Sequence, residues 1–140
     1  MANSEWATVL AGMPLFDGVG KRDLRRIATS AEFREFAPGD MVVATGGPSD
    51  GFYVVLSGEA RASWRPAARA LTTGDYFGEI GLLDGRPRSA SVVATSDLHV
   101  MRLRRGAFDD ALDRNPTIAR TFLTELGSRV RELEHQAAYR

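Results

Sequence analysis

The sequence predicts a mainly β fold in which short antiparallel strands close into a roll or barrel, with helices at both ends. Short apolar runs rich in Val, Phe and Tyr fill the region from Glu32 to Leu103. Glycine turns separate these runs, and no helical segment lies between them as the crossover that parallel strands need. Apolar residues recur at helical spacing before and after this region.

The N-terminal part predicts two short helices, over residues 3–12 and about 20–29. The first helix would end at Gly12, two residues before Pro14, since glycine and proline often follow the last turn of a helix. Each helix has an apolar face at helical spacing, formed by Trp6, Val9 and Leu10 in the first and by Leu24, Ile27 and Ala28 in the second.

Six runs in the middle of the chain predict strands: EFREFA, MVVAT, FYVVL, EARASW, SVVAT and LHVMRL. The segment SWRPAARA, residues 63–70, would form a hairpin. It contains Pro66 and no Asn-Gly or Asp-Gly pair, so we expect irregular strands there.

Two further helices are predicted after the strands. The run GAFDDALDR gives a short one, and Asn115 followed by Pro116 gives an N-cap and a first helical residue for the last helix. That helix carries an apolar stripe at 3,4 spacing, formed by Leu123, Leu126, Val130, Leu133 and Ala137. The roll, a ligand or the same helix of a second subunit could cover the stripe.

Composition narrows the range of functions. The 140 residues suffice for one domain with its own core, and the absence of cysteine excludes thiolate metal sites and cysteine nucleophiles. Eighteen basic residues balance eighteen acidic ones, so we expect no direct nucleic-acid binding. We find neither a long apolar segment nor signal-peptide features, and we expect a cytoplasmic protein with no membrane part.

The segment FGEIGLLDGRPRSAS, residues 77–91, combines features that suit an anionic ligand. Gly78 and Gly81 let the backbone approach closely, and EIGLL allows one short helical turn whose N–H groups point outward. Arg88 offers a planar fork for two phosphate oxygens, and Ser89 adds a hydroxyl donor.

Glu79 in the same segment indicates a second ligand group. A carboxylate repels phosphate but accepts a hydrogen bond from a sugar hydroxyl. The segment therefore predicts a sugar phosphate, whose single phosphodiester charge one arginine would neutralise.

These residues resemble a known family. FGEIGLLDGRPRSA, residues 77–90, is similar to the phosphate-binding cassette of cyclic nucleotide-binding domains, and the glycine-punctuated segments 36–60 and 71–79 resemble the roll of that family. The resemblance implies a jelly-roll-like β-roll of about eight antiparallel strands, short N-terminal helices and C-terminal helices of the B/C type. It implies a single domain over residues 1–140, divided into helices at 1–30, the roll at 31–104 and helices at 105–140.

The resemblance also implies roles for individual residues. Glu79 would accept the ribose 2′-hydroxyl, and Arg88 would pair with the phosphate oxygens. The rest of the ligand-binding set would be Gly78, Ile80, Gly81, Ser89 and Ala90. The pocket wall would come from Val43, Ala62 and Leu71 on the roll and from Val130, Leu133 and Glu134 on the last helix, with Tyr139 as a stacking cap.

The function that follows is a regulatory sensor, not an enzyme, that binds cAMP, with cGMP as the other candidate, and moves its C-terminal helices in response; no cofactor is expected. Cyclic dinucleotides are further candidates. A homodimer through the stripe of the last helix and an unknown effector protein or domain are the expected partners, whether the chain stands alone or is an excised domain.

Two alternatives come from other classes. The chain could be a protein-interaction module whose pocket is empty or degenerate. It could also be a cupin-like barrel enzyme, but that needs clustered histidine and carboxylate ligands, and His99 and His135 lie far apart in the sequence.

Overall fold

The computed structural model describes residues 3–64 and 67–138. The helices of this part are α1 (Asn3–Ala11), α2 (Lys21–Ser30), α3 (Glu79–Asp84), α4 (Arg105–Arg114) and α5 (Pro116–Ala138), with a 3-10 turn at Pro14–Phe16. The strands are β1 (Glu32–Phe36), β2 (Met41–Val43), β3 (Phe52–Ser57), β4 (Ala60–Trp64), β5 (Ala67–Leu71), β6 (Tyr76–Phe77), β7 (Ser91–Ala94) and β8 (Leu98–Leu103).

The strands form two four-stranded sheets, in the orders β1-β8-β3-β6 and β2-β7-β4-β5. Their pairings are antiparallel. Val55 of the first sheet and Leu71 and Val92 of the second belong to one buried apolar cluster, so the sheets pack face to face. The predicted β-roll with helices on either side is confirmed.

Strand β3 is buried on both faces. Phe52, Val54 and Leu56 pack in the cluster formed with the helices, while Tyr53 and Val55 pack in the cluster between the sheets. Successive side chains of a strand point to opposite faces, so a strand between two layers needs an uninterrupted apolar run. The sequence FYVVL meets this need and places β3 between the helical layer and the interior of the roll.

The expectation of irregular strands in the hairpin is wrong. All five pairs of β4 and β5, from Ala60 with Leu71 to Trp64 with Ala67, are in register. The turn residues 65 and 66, and hence Pro66, lie outside the described residues. Strand β5 is not among the six predicted runs, because its sequence AARAL has little β propensity and its partner β4 determines its structure.

Asn115 lies where α4 ends and α5 begins. Pro116 begins α5 as expected, and the Asn115 side-chain Nδ2 donates to the carbonyl of Ala111 at 3.0 Å. The side-chain amide therefore closes the end of α4, a role that the sequence did not predict, and the N-cap role stays a prediction. Its backbone carbonyl accepts the N–H of Ile118 at 2.9 Å, which tightens the junction between the two helices.

Helix α5 is anchored at its start and uncovered afterwards. Ile118 and Phe122 are each 3% exposed in the helical cluster. Farther along, Leu123, Val130 and Leu133 are 69%, 53% and 64% exposed. The described residues include no helix whose length and apolar character would let it cross a membrane.

Candidate functional site

The chain turns sharply between β6 and α3 at Gly78. This residue has a φ of 94°, in the left-handed region that favours glycine. A Cβ atom there would lie 2.5 Å from the carbonyl oxygen of Gly51 and 2.7 Å from Nη1 of Arg88. Glycine at position 78 thus lets the start of α3, the residue before β3 and the arginine side chain meet.

The guanidinium of Arg88 is buried, with 5% of its side chain exposed. Its Nη2 donates to Oδ1 of Asp50 at 2.7 Å and to the carbonyl of Gly51 at 3.1 Å. Its Cζ lies 5.3 Å from the centre of the Tyr53 ring, which allows a cation–π contact. Its Nε is buried with no hydrogen-bond partner among the described residues. An unmet buried donor costs free energy, so this N–H favours an incoming acceptor.

The backbone of Arg88 is held by the loop between β2 and β3. The N–H of Gly46 donates to the carbonyl of Arg88 at 2.8 Å, and the N–H of Arg88 donates to the carbonyl of Gly47 at 2.9 Å. Next to them, the N–H of Thr45 donates to Oγ of Ser91 at 2.9 Å. These bonds hold the end of segment 77–91 against the roll.

Asp50 is shared by two buried arginines. Besides its bond to Arg88, its Oδ2 lies 3.3 Å from Nη1 of Arg102, on β8. Arg102 also pairs with Glu32 at the start of β1. Held from both sides, Asp50 positions the Arg88 guanidinium.

Glu79 is the first residue of α3 and is 5% exposed. Its Oε1 lies 4.0 Å from Nη1 of Arg129 on α5, and its Oε2 is buried without a hydrogen-bond partner in the described part of the chain. Burial raises the pKa of this carboxyl above its ordinary value of 4.5. Its own backbone N–H and the positive charges of Arg129, Arg69 and Arg88 lower the pKa by less. A buried acceptor thus lies near a buried donor.

A groove of about 240 Å³ is lined by both Arg69 and Arg129. Tyr76 and Glu125 also line it, and the Tyr76 hydroxyl donates a hydrogen bond to the Glu125 carboxylate. This bond joins β6 to α5. Two of the three arginines that act on Glu79 therefore come from different layers, Arg69 from the roll and Arg129 from the last helix.

The arrangement pairs one cation that can hold an anion with one carboxylate that can accept a hydroxyl. The family model described as "Cyclic nucleotide-binding domain" matches residues 33–115. The chain belongs to the cyclic nucleotide-binding domain family.

Sequence comparison with known proteins supports this membership. The chain is 38% identical over 105 residues to the cAMP-dependent protein kinase regulatory subunit of Hypocrea atroviridis, a match that covers 74% of this chain and 22% of the relative. Across the relatives compared, the match spans between 22% and 33% of their length.

Two solved structures share the fold. One is the regulatory domain of Toxoplasma gondii PKA with cAMP, with a TM-score of 0.78, 27% identity, and coverage of 91% of this chain and 50% of that one. The other is the catabolite activator protein of Thermus thermophilus, with a TM-score of 0.78, 28% identity, and coverage of 89% of this chain and 61% of that one.

The other predicted residues of the family's cassette differ in exposure. Gly81 is half-buried, and a Cβ atom there would lie 2.0 Å from Oγ of Ser49, so the loop before β3 packs tightly on α3. Ile80 is 39% exposed, Ser89 is exposed and Ala90 is half-buried. Their contacts with a ligand stay predictions.

The predicted wall residues on the roll lie together. Ala62 and Leu71 are buried in the cluster between the sheets, and Val43 packs against that cluster. They form an apolar surface inside the roll. Tyr139, the predicted stacking cap, lies outside the described residues.

The predicted wall residues on α5 do not reach the site in this structure. Val130 and Leu133 are largely exposed, and so is Glu134. Arg129, one residue earlier, is the side chain that approaches Glu79. Successive helical residues are about 100° apart around the axis, so an error of one position selects another face.

Sequence reasoning missed Asp50, Tyr53 and Arg129. Asp50 could have been predicted from the sequence. A buried arginine needs an acceptor, and this carboxylate lies in a glycine loop just before an apolar strand. Tyr53 could not have been predicted in this way, since a strand residue beside four apolar ones is expected in the core. Arg129 is one of many charged residues on its helix.

A cupin-like enzyme needs a cluster of metal ligands. Over residues 3–64 and 67–138, no three His, Asp or Glu side chains are grouped so that they could hold a metal ion. His99 lies instead 3.5 Å from Glu35 across the β8–β1 pair.

We expect Glu79→Gln to increase the free energy of unfolding at pH 7. The pKa of Glu79 is raised in the folded state, so the folded protein binds this proton more tightly than the unfolded chain does. Stability therefore falls as pH rises through the interval between the ordinary and the raised pKa. Glutamine carries no charge to desolvate. Denaturant unfolding at pH 7 and pH 4 should show a gain that shrinks at pH 4.

The matched control is Glu132→Gln on the exposed face of α5, which removes a carboxylate charge without relieving burial. An equal gain from Glu79→Gln at both pH values, or no gain at either, would contradict the raised pKa.

Proposed function

We propose that this chain is a regulatory domain that binds cAMP at its cassette and passes the signal to α5. One observation carries the proposal: a buried donor, Nε of Arg88, and a buried acceptor, Oε2 of Glu79, both lack partners among the described residues, and both side chains lie at Gly78. The phosphate oxygens of a cyclic nucleotide accept hydrogen bonds, and its 2′-hydroxyl donates one. The regulatory-subunit relatives and the cAMP-bound Toxoplasma structure support cAMP as the ligand.

Arg88 binds the phosphate in this proposal. Asp50 and Gly51 already hold its Nη2, which fixes the guanidinium plane before a ligand arrives. A preorganised donor loses little conformational entropy on binding. The hydroxyl of Ser89 and the backbone groups of Ile80 and Ala90 complete the phosphate contacts.

Glu79 binds the ribose. Its carboxylate accepts the 2′-hydroxyl, which meets the hydrogen-bonding need of Oε2. The apolar surface of Val43, Ala62 and Leu71 then lies beneath the sugar and base. Gly78 and Gly81 keep the backbone of α3 close enough for these contacts.

The signal leaves the site through Arg129. In this structure Arg129 of α5 approaches the same carboxylate that the ribose would use. Ligand and helix therefore share Glu79, and binding changes the free energy of the helix position. In a second helix position, Val130, Leu133 and Glu134 contact the base.

Several parts of the proposal concern the surroundings of the domain. A second subunit would cover the stripe of Leu123, Leu126, Val130, Leu133 and Ala137. An effector protein or domain would receive the signal, in the cytoplasm and without catalysis by this chain.

We expect Arg88→Ala to lower the affinity for cAMP at least tenfold, because charge-assisted hydrogen bonds contribute about 1.5–3 kcal/mol each. Arg88→Lys should lose affinity too, since lysine lacks the planar fork. Isothermal titration calorimetry with cAMP, cGMP and adenosine provides the measurement. Adenosine, which has no phosphate, should be insensitive to both changes.

The control is Arg86→Ala, an exposed arginine two residues away, which should keep the affinity. An unchanged dissociation constant in Arg88→Ala would remove Arg88 from the site. If the unaltered protein binds no cyclic nucleotide, the alternative of a protein-interaction module with an empty or degenerate pocket replaces this proposal.

One observation favours cGMP as a second candidate ligand. Arg69 is directly paired with Ala62, so both side chains point to the same side of the hairpin. Its charge lowers the pKa of Glu79, which places it near the sugar acceptor. A guanidinium only donates, and guanine offers two adjacent acceptors, O6 and N7, where adenine offers one.

If Arg69 reads the base, Arg69→Ala should shift the ratio of cGMP to cAMP affinity about fivefold or more towards cAMP. Arg61→Ala is the matched control, because Arg61 lies on the opposite face of the same hairpin. Competition binding with both nucleotides gives the ratio. A ratio that stays constant in Arg69→Ala leaves base choice to other residues.

We expect Arg129→Ala to loosen the second half of α5 in the absence of ligand. Losing a partly exposed ion pair should speed amide exchange there about two- to fivefold. Hydrogen exchange followed by mass spectrometry, with and without cAMP, measures this effect. Arg131→Ala, a neighbouring exposed arginine, should exchange like the unaltered protein. Identical exchange in Arg129→Ala would show that the contact with Glu79 does not hold α5.

A further inference from the structure

One face of the β4–β5 hairpin turns towards the interior of the roll. Directly paired residues of antiparallel strands point to the same side, and alternate residues of a strand share a face. Ala60 and Leu71 form one such pair and are 2% and 0% exposed, which identifies the inner face. The pairs that follow on this face are Ala62 with Arg69 and Trp64 with Ala67.

Trp64 therefore lies at the outer end of the inner face. It is 46% exposed and belongs to neither buried apolar cluster. Its direct partner Ala67 has only a methyl group, so the neighbouring strand leaves much of the indole uncovered. Among residues 3–64 and 67–138, no apolar cluster accounts for this large aromatic side chain.

The same ladder brings Trp64 close to the cassette. Strand β4 also pairs with β7, at Ala62 with Val92 and Ser63 with Ser91. The β4–β7 pairs end at Ser63 with Ser91. Trp64 is the next residue of β4, and Ala90, the last cassette residue, directly precedes Ser91. Facing residues of neighbouring strands have Cβ atoms about 5 Å apart.

We propose that the indole of Trp64 is a stacking platform for the base of the bound nucleotide. This inference rests on the proposed function, in which Glu79 and Arg88 bind sugar and phosphate and leave the base to other residues. Ala62, next on the same face, is small and leaves room for a purine. Bases stack on aromatic planes with little regard to sequence, so Trp64 contributes affinity for adenine and guanine alike.

The two tryptophans of the chain make the proposal testable by fluorescence. Trp6 stacks on Phe33 at 5.3 Å between ring centres and packs against the helical cluster, so it serves as the internal control. We expect cAMP to quench the emission of Trp6→Phe, whose remaining tryptophan is Trp64. Trp64→Phe, which retains Trp6, should show no quenching.

Affinity gives the second readout. Trp64→Leu should bind cAMP and cGMP about fivefold or more weakly, and Trp64→Phe should lose less because a ring remains. A 1-deoxyribose 3′,5′-cyclic phosphate, which has no base, should bind the unaltered protein and Trp64→Leu equally. Thermal melting of each variant checks that the fold is kept, and Trp64→Phe carries the test if the leucine variant melts early.

The experiments distinguish a failure of the Trp64 proposal from a failure of the proposed nucleotide binding at the cassette. If the unaltered protein binds a cyclic nucleotide but quenching comes from Trp6, or Trp64→Leu keeps its affinity, Trp64 is not the platform and the cassette proposal stands. If the base-free phosphate loses affinity as much as cAMP does, Trp64 acts on the cassette and not on the base. If no cyclic nucleotide binds the unaltered protein, both proposals are overturned.

Discussion

The burial of the Arg88 guanidinium is the constraint on which the rest of the site depends. A buried cation is tolerated only with a charged partner and satisfied hydrogen bonds. Asp50, the Gly51 carbonyl and the Tyr53 ring meet most of this need, and the loop at Gly46 and Gly47 fixes the backbone. Because these contacts come from segments far apart in the chain, the arginine can be in place only when the roll has closed. The site around Arg88 therefore forms only as part of the folded roll.

Glu79, unlike Arg88, is a buried charged group with no close partner of opposite charge in the part of the chain that the structure describes. Arg88 has a close carboxylate and a carbonyl as partners of its Nη2, whereas Glu79 has one distant cation at 4.0 Å and an oxygen without a partner among the described residues. Its raised pKa records this incomplete compensation. A ligand with a hydroxyl beside an anion satisfies the carboxylate and the remaining Arg88 N–H together. The two unpartnered groups therefore match the hydroxyl and the anion of the sugar phosphate in the proposed function.

The sequence predicts what is local and misses what is brought together by folding. The apolar runs predict six strands, and the cassette is recognisable because its residues lie within one segment. Strand β5 is not predicted from the sequence, because AARAL forms a strand through its pairing with β4. Asp50 lies 38 residues before Arg88, so their contact depends on tertiary structure. Asn115 shows the same limit on a smaller scale, since the bond of its side-chain amide to Ala111 at the end of α4 was not predicted.

The proposed movement of α5 can be judged from how the helix is held. Ile118 and Phe122 anchor its first turns in the helical cluster, while its second half has exposed apolar side chains. Two polar contacts tie the helix to the roll farther on, from Arg129 to Glu79 and from Glu125 to Tyr76. Partly exposed polar contacts of this kind contribute about 1 kcal/mol or less each. A coupling free energy of about 1–3 kcal/mol, as is usual for allosteric proteins, is then enough to change the helix position. The proposed response to a small ligand therefore needs only polar contacts to change, because among the described residues burial holds the first turns of α5 and not its second half.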